Sequence, residues 1–220
     1  GDAASLLTNG GFERLTPAGE PVDWYATAYR NQEGYSRIAV TDAKAHTGRY
    51  SALVENASLN DARFTCAVKV EPESLYRLSG YVLVDGMGEE GNGANLAIED
   101  IYAFSDRFYD TAGEWKYVEW YGETGENQTE ITLGVRVGGY GAESVGKAYF
   151  DDIALEKVDA LPQGVVASIW YSTRQEAPQP AVEEDAAAEK STVLFVLCAL
   201  AFALLFMLSK PLLEKKDHRR

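Results

Sequence analysis

Short runs of alternating apolar and polar residues fill the chain from Leu6 to about Leu155, and Gly, Asn and Asp interrupt them. Successive side chains of a β-strand point to opposite faces, so a period of two is typical of antiparallel sheets with one buried face. In the run 131–137 the apolar residues share one face, and Arg136 lies on the other. No stretch before residue 190 keeps a helical period. The pattern predicts an all-β fold over residues 1–160, an antiparallel β-sandwich of the jelly-roll type with about eight strands.

A long apolar run near the C-terminus differs from everything before it. Residues 191–209 contain no charged side chain, and a helix of these 19 residues would cross most of a hydrocarbon core of about 30 Å. The alternative, a buried core helix, would carry polar residues on some face. Five basic residues follow the run and an acidic segment precedes it, so the positive-inside rule places the tail in the cytoplasm.

The regions around the apolar run follow from their composition. Residues 161–173 are predicted to be an edge strand or a docking segment, and residues 174–190 an acidic linker rich in Pro and Ala. Residues 191–209 are predicted to be a transmembrane helix, and residues 210–220 a basic cytoplasmic tail. The expected localisation is the cell membrane, with a single span and the sandwich outside.

Charge and cysteine content exclude two classes of protein, those that bind nucleic acid and those whose outer domain is stabilised by disulfides. The 20 basic residues face 34 acidic ones, a net charge of -14, and such a field repels phosphate backbones, so we expect no nucleic-acid partner. The only cysteines are Cys66, in the sandwich, and Cys198, in the apolar run. They cannot pair across the membrane interface, so the outer domain must fold without disulfides.

The residues needed for common catalytic centres are scarce. Histidine occurs only at His46 and His218, one in each predicted compartment, so no Ser-His-Asp or Cys-His arrangement can form. No Gly-rich loop opens a helix, which leaves no phosphate cradle. Carboxylates are abundant, but an acidic surface supplies glycosidase-like pairs by chance. The sequence therefore predicts a protein that is not an enzyme.

Polar residues on the non-core face of predicted strands are the first candidates for ligand binding. Arg63, Asn95 and Arg136 follow the alternation that places them on the open face of a sheet, with Asp61 and Glu99 at the same parity. The alternative is a solvated face with ion pairs. If these side chains bind a ligand, we expect Arg136→Ala to remove binding and to leave the melting temperature nearly unchanged.

Aromatic residues are the second group of candidates, because aromatic faces stack on the apolar faces of sugar rings. The chain has 13 Tyr, 8 Phe and 4 Trp, and most of these rings belong in a core. Tyr29, Tyr35, Tyr102 and Tyr140 lie beside Gly or charged residues and are the better surface candidates.

Two acidic motifs bracket the sandwich. Glu13 closes the run Leu6–Glu13, and Asp152 lies in the run Lys147–Ile153. If the first and last strands are neighbours, both carboxylates can hold one hard cation such as calcium. The alternative is that Glu13 is a surface residue and that Asp151 or Asp152 makes turn hydrogen bonds.

Four segments together resemble a known family. They are Asn-Gly-Gly-Phe-Glu at 9–13, the segment 21–24, the strand 48–54 and the closing Ala-Tyr-Phe-Asp-Asp-Ile-Ala-Leu-Glu at 148–156. Their order and spacing over residues 5–157 resemble galactose-binding-like jelly rolls, specifically carbohydrate-binding modules of the xylan- and glucan-binding kind.

The resemblance implies a metal site and two alternative ligand sites. A structural calcium ion would be held by Glu13, Asp152 and the backbone near Thr47 and Gly48. The ligand would bind on the concave sheet face or at loops of one edge. The first option implies Arg63, Asn95 and Arg136 with Tyr140, and the second implies Trp24, Tyr25 and Tyr29.

The function expected from these features is a non-catalytic, extracytoplasmic, membrane-anchored module that binds an oligo- or polysaccharide. One alternative is an accessory N-terminal domain of a membrane glycosyltransferase, similar to protein mannosyltransferases, or of a hydrolase, with the catalytic part missing. Another is a structural or protein-contacting ectodomain.

Overall fold

The computed structural model describes residues 4–173, and within them the chain forms eleven β-strands. No helix among these residues is long and apolar enough to cross a membrane. The linker, span and tail predicted at 174–190, 191–209 and 210–220 lie outside the described residues. The strands are β1 Tyr25–Ala28, β2 Ser36–Thr41, β3 Ser51–Asn60, β4 Ala62–Lys69, β5 Leu75–Val84, β6 Ala94–Ile98, β7 Ala103–Phe104, β8 Lys116–Glu123, β9 Glu130–Val137, β10 Ser144–Val158 and β11 Ser168–Ile169.

The strands form two sheets. One has five strands in the order β1-β4-β9-β6-β7, and the other has six in the order β11-β8-β5-β10-β3-β2. All pairings in both sheets are antiparallel except that of β11, which runs parallel to β8. The prediction of an all-β fold with two sheets is confirmed for the described residues.

Alternation along β9 shows how the sequence places the core and the open face. Ile131, Leu133, Val135 and Val137 are all buried in the core between the sheets. Arg136 points to the other face, where its register partners are Arg63 on β4 and Asn95 on β6. Three polar side chains from neighbouring strands therefore lie in one row across the five-stranded sheet.

The opening segment runs beside the closing strand. Leu6 N–H donates to the Leu155 carbonyl at 2.7 Å, and Ile153 N–H donates to the Gly10 carbonyl at 2.9 Å. A Cβ atom at Gly10 would lie 1.8 Å from the Ile153 carbonyl oxygen, so only glycine allows this approach. The two acidic motifs therefore meet at the same side of the sandwich.

Residues after β10 pack against the sandwich. Trp170 is fully buried, its ring is 5.0 Å from that of Trp120, and its backbone N–H donates to Glu123. A Cβ atom at Gly122 would lie 1.9 Å from the Trp170 ring, so this glycine on β8 provides the space for the indole. Residues 168–170 are thus part of the folded domain.

We predict that Trp170→Ala destabilises the domain by about 3–5 kcal/mol, because it removes a buried indole and leaves a cavity. Denaturant unfolding followed by tryptophan fluorescence measures the change. Val166→Ala is the control, because Val166 belongs to the same segment and is 86% exposed. Equal stability of the two variants would show that the segment is not part of the cooperative unit.

Candidate functional site

A polar pocket of about 700 Å³ lies on the open face of the five-stranded sheet, near the ends of β4 and β9. Seven of the side chains that line it are charged, and two exposed tyrosines, Tyr29 and Tyr102, lie at its rim. Four of the charged residues come from adjacent strands or the residues beside them: Asp61, Arg63, Glu99 and Arg136. The pocket contains more ionisable groups than the core behind it.

Two arginines and two carboxylates form one cluster in the pocket. Arg136 donates from Nη2 and Nε to the two Asp61 oxygens, at 2.6 Å and 3.2 Å. Arg63 Nε donates to Glu99 Oε2 at 2.9 Å, and its Nη1 lies 3.5 Å from Asp61 Oδ1. The register places the two arginines side by side, so the carboxylates are needed to offset their repulsion. Only 3% of the Arg136 side chain is exposed, which makes this a buried ion cluster.

The cluster leaves one donor and one acceptor without hydrogen-bond partners. Arg136 Nη1 and Glu99 Oε1 are 3.4 Å apart, close enough for an ion pair, but neither has a hydrogen bond. Buried charged groups without such partners are costly. Both atoms are shielded from solvent, so this ion pair forms part of the wall behind the pocket.

Three tyrosines surround the cluster in different ways. Tyr140 covers the Arg136 guanidinium, with the guanidinium carbon 4.5 Å from the ring centroid, and burial raises the pKa of Tyr140. Tyr29 and Tyr102 are 72% and 73% exposed and are free to stack on a ligand. Among residues proposed from the sequence, the structure brings Arg63, Arg136, Tyr140 and Tyr29 together.

Two predicted ligand-binding residues are almost fully buried. Trp24, expected at an edge loop, is 4% exposed, its ring packs on Phe12, and its Nε1 donates to the Asn9 carbonyl at 2.9 Å. It also lines a second cavity of about 370 Å³ with Tyr25, so its role in ligand binding stays a prediction. Asn95 lies on the predicted face but is 1% exposed, because its Nδ2 donates to the carbonyls of Asn92 and Gly138. Both residues stabilise the fold.

Burial also changes the role expected for Arg136. The sequence predicted an exposed arginine whose removal leaves stability unchanged, but the side chain is buried and paired with Asp61. Tyr102 and Glu99, which the sequence only suggested as an exposed ring and a neighbouring carboxylate, line the pocket directly. Their position depends on the turn after β6, for which the sequence has no specific signal.

The predicted cation site contains the expected residues, and hydrogen bonds join them. Glu13 Oε1 accepts from the backbone N–H groups of Arg49 and Tyr50 at 2.7 Å and 2.8 Å. Gly48 has a φ of 62°, and a Cβ atom there would lie 2.3 Å from Glu13 Oε1. A side chain at residue 48 would therefore displace the carboxylate.

The two aspartates of β10 contact the same loop. Asp151 Oδ2 accepts from the backbone N–H groups of His46 and Thr47, at 2.7 Å and 3.2 Å. Asp152 accepts from the Thr47 hydroxyl at 2.7 Å, and its other oxygen lies 2.6 Å from His46 Nδ1. Burial raises the pKa of Asp151 to about 6, because the charged form loses hydration.

The arrangement fits a hard cation only in part. Glu13, Asp151 and Asp152 supply the oxygen ligands that calcium prefers, and none of the three has a Lys or Arg ion-pair partner in the described part of the chain. Five backbone N–H groups already donate to these carboxylates, and no group of three or more His, Cys, Asp or Glu side chains within residues 4–173 could hold a metal ion. Calcium binding stays a prediction.

No protein-family model matches the sequence, and no curated protein matches it either. Several solved structures do match it. The carbohydrate-binding module TmCBM61, solved with β-1,4-galactotriose, is 20% identical, with a TM-score of 0.48 over 71% of this chain and 100% of that one. The CBM22-1 xylan-binding domain of Paenibacillus barcinonensis Xyn10C is 20% identical, with a TM-score of 0.40 over 73% of this chain and 98% of that one.

The enzymatically active domain of tailspike protein 4 from bacteriophage CBA120 is also similar. It is 10% identical, with a TM-score of 0.50 over 70% of this chain, which spans 21% of that domain's length. At this identity the similarity is one of fold. Carbohydrate-binding modules with a β-sandwich are thus among the solved structures to which this chain is similar.

We predict that Arg136→Ala destabilises the domain by about 3–5 kcal/mol, because it removes both hydrogen bonds from Arg136 to the buried Asp61 and leaves Arg63 alone facing two carboxylates. Lys69→Ala is the matched control on the same strand pair, since the Lys69–Glu130 ion pair is on the surface and its loss costs about 0–1 kcal/mol. Urea unfolding measures both. A small effect of Arg136→Ala would mean that water hydrates the cluster.

Proposed function

We propose that the sandwich is a non-catalytic module that binds a glycan in the pocket on the five-stranded sheet. The observation that carries this proposal is the pocket of about 700 Å³ in which a fixed cluster of charged side chains lies beside the exposed rings of Tyr29 and Tyr102. A sugar offers hydroxyl groups for the polar lining and apolar ring faces for stacking on the tyrosines.

The fixed geometry of the charges favours recognition of a hydroxyl-rich, uncharged ligand. Each arginine in the cluster is already paired with a carboxylate, so no free cation is left to bind an anionic group. Hydrogen bonds that involve charged partners are stronger than neutral ones and depend more on geometry. Rigid donors and acceptors beside aromatic faces therefore suit a saccharide better than a phosphate or a carboxylate.

The same pairing supports binding and not hydrolysis. A glycosidase needs one carboxyl group that donates a proton and a second that acts as base or nucleophile. In the pocket, Asp61 and Glu99 both form ion pairs with arginine, so both carboxylates are part of the ion cluster that holds the strands together.

We predict that Tyr29→Ala and Tyr102→Ala each weaken glycan binding by about fivefold or more, because each removes one stacking surface. Isothermal titration with β-1,4-galactotriose and xylohexaose, together with affinity electrophoresis in soluble β-glucan, measures binding. The expected melting temperature is unchanged for both variants, since both rings are exposed.

Tyr25→Ala is the matched control, because Tyr25 is 71% exposed and does not line the pocket. Binding that is lost only in Tyr25→Ala would move the site to the edge of the sheet near β1. Binding of no saccharide by the wild type would contradict the proposal and favour a protein-contacting domain.

We also propose a structural calcium ion at Glu13 and Asp152, with backbone oxygens near Thr47 and Gly48. The support is chemical: Glu13, Asp151 and Asp152 lie at one side of the sandwich without a Lys or Arg ion-pair partner in the described part of the chain, and a divalent cation would offset the charge of the buried Asp151. The ion would join the opening segment, the loop 46–50 and β10.

We predict that EGTA lowers the melting temperature of the wild type by about 5 °C and has no effect on Asp152→Asn, since a bound ion stabilises only the folded state. Differential scanning fluorimetry with added CaCl₂ measures the difference. An identical response of the two proteins would remove Asp152 from the metal site, and a wild type that ignores both EGTA and calcium would contradict the ion.

Membrane attachment is a further part of the proposal and rests on sequence alone. The uncharged run 191–209 and the basic residues after it support one span with the sandwich on the outer side. In that arrangement the acidic linker 174–190 separates the glycan-binding domain from the membrane surface.

A further inference from the structure

Tyr140 contacts both the ion cluster and the turn that forms one wall of the pocket. Its ring covers the Arg136 guanidinium, with 4.5 Å between the ring centroid and the guanidinium carbon. Its hydroxyl lies 2.6 Å from the Ile98 carbonyl oxygen and 3.1 Å from the Ala103 carbonyl oxygen. One side chain therefore links the end of β9 to both ends of the turn 99–102.

The two carbonyls belong to the residues where β6 ends and β7 begins. A phenol has a single proton, so Tyr140 shares it between two acceptors and ties them together. The turn between them carries Glu99, which pairs with Arg63, and Tyr102, whose ring is 73% exposed at the pocket. The position of both ligand-facing groups therefore depends on this turn.

Tyr140 keeps its contacts with Arg136 and the turn 99–102 although its backbone adopts a conformation that tyrosine disfavours. Tyr140 has a φ of 53°, a left-handed conformation that is strained for a residue other than glycine. A Cβ atom at the neighbouring Gly139 would lie 3.0 Å from Arg136 Nε, so the turn passes directly over the guanidinium. The ring and hydroxyl contacts of Tyr140 offset the strain.

Tyr140 has no free ring face for a sugar. One face covers Arg136, and its centroid lies 5.0 Å from that of Tyr102 and 5.6 Å from that of Phe104. The sequence suggested that Tyr140 contacts the ligand. In the structure Tyr102 and Tyr29 present open faces, and Tyr140 lies behind them.

We propose that Tyr140 is a positioning residue, whose hydroxyl holds the turn 99–102 in its binding geometry before the ligand arrives. This inference rests on the proposed glycan-binding function of the pocket. A turn that is ordered in the free protein loses little conformational freedom on binding, so the affinity for the ligand is higher. Without the hydroxyl, the Ile98–Ala103 strand pairing and the Arg63–Glu99 ion pair would remain, and the ligand would have to order the rest of the turn with Tyr102.

Tyr140→Phe tests this role, because it keeps the ring on Arg136 and removes only the hydroxyl. The matched control is Tyr109→Phe, since the Tyr109 hydroxyl donates to the Gly91 carbonyl at 2.8 Å and Tyr109 does not line the pocket. Both variants lose a part-buried hydrogen bond to a backbone oxygen and should lose a similar amount of stability.

The two variants are expected to differ in two other measurements, hydrogen exchange and saccharide binding. Hydrogen exchange of the free protein should be faster at the amides of residues 99–102 in Tyr140→Phe only. Titration with β-1,4-galactotriose and xylohexaose should show about threefold to tenfold weaker binding for Tyr140→Phe, with a less favourable entropy. Tyr109→Phe should bind as the wild type does.

Unchanged exchange and affinity in Tyr140→Phe would overturn the inference, as would an equal loss of affinity in Tyr109→Phe. If the wild type binds no saccharide, the proposed function fails. The exchange comparison then still decides whether the Tyr140 hydroxyl holds the turn, so the two failures can be told apart.

Discussion

Burial of the Arg136 guanidinium outside the main core is the interaction on which the candidate site depends. The pairing of β4 with β9 places Arg136 beside Arg63, and two adjacent cations on a sheet repel each other. Asp61 and Glu99 resolve this conflict by pairing with both arginines. Since Asp61 precedes β4 and Glu99 follows β6, the charge balance of the site fixes the ends of two strands as well as the shape of the pocket.

The other side of the sandwich solves a similar problem with different groups. Three carboxylates, those of Glu13, Asp151 and Asp152, meet the loop 46–50, and most of their hydrogen-bond partners are backbone N–H groups. N–H groups supply partial positive charge without a side chain, as they do in anion-binding nests. The fold itself can therefore stabilise the acidic motifs at the start and the end of the domain's sequence. A cation would bind to carboxylates that already accept hydrogen bonds.

Much of the fold could be predicted from the sequence, because alternation reports directly on which face a side chain occupies. Ile131 and Leu133 are in the core, and Arg136 is on the opposite face, as their spacing requires. Exposure could not be predicted in the same way. Asn95 and Arg136 are buried because the turns 99–102 and 138–141 cover their end of the sheet, and no local pattern signals how a turn returns over a strand. The burial of Trp24 is a related case, since it precedes β1 and its ring enters the core next to Phe12.

Arg136 links ligand binding to folding in this domain, because its side chain is both buried and part of the pocket. An arginine that is 3% exposed and paired with Asp61 is part of the folded structure, and it also forms part of the wall of the pocket. A change at Arg136 would therefore alter the stability of the domain and the shape of the pocket together. Loss of binding after a change in this cluster cannot separate recognition from folding. Changes at Tyr29 and Tyr102 can, because both rings line the pocket and are exposed.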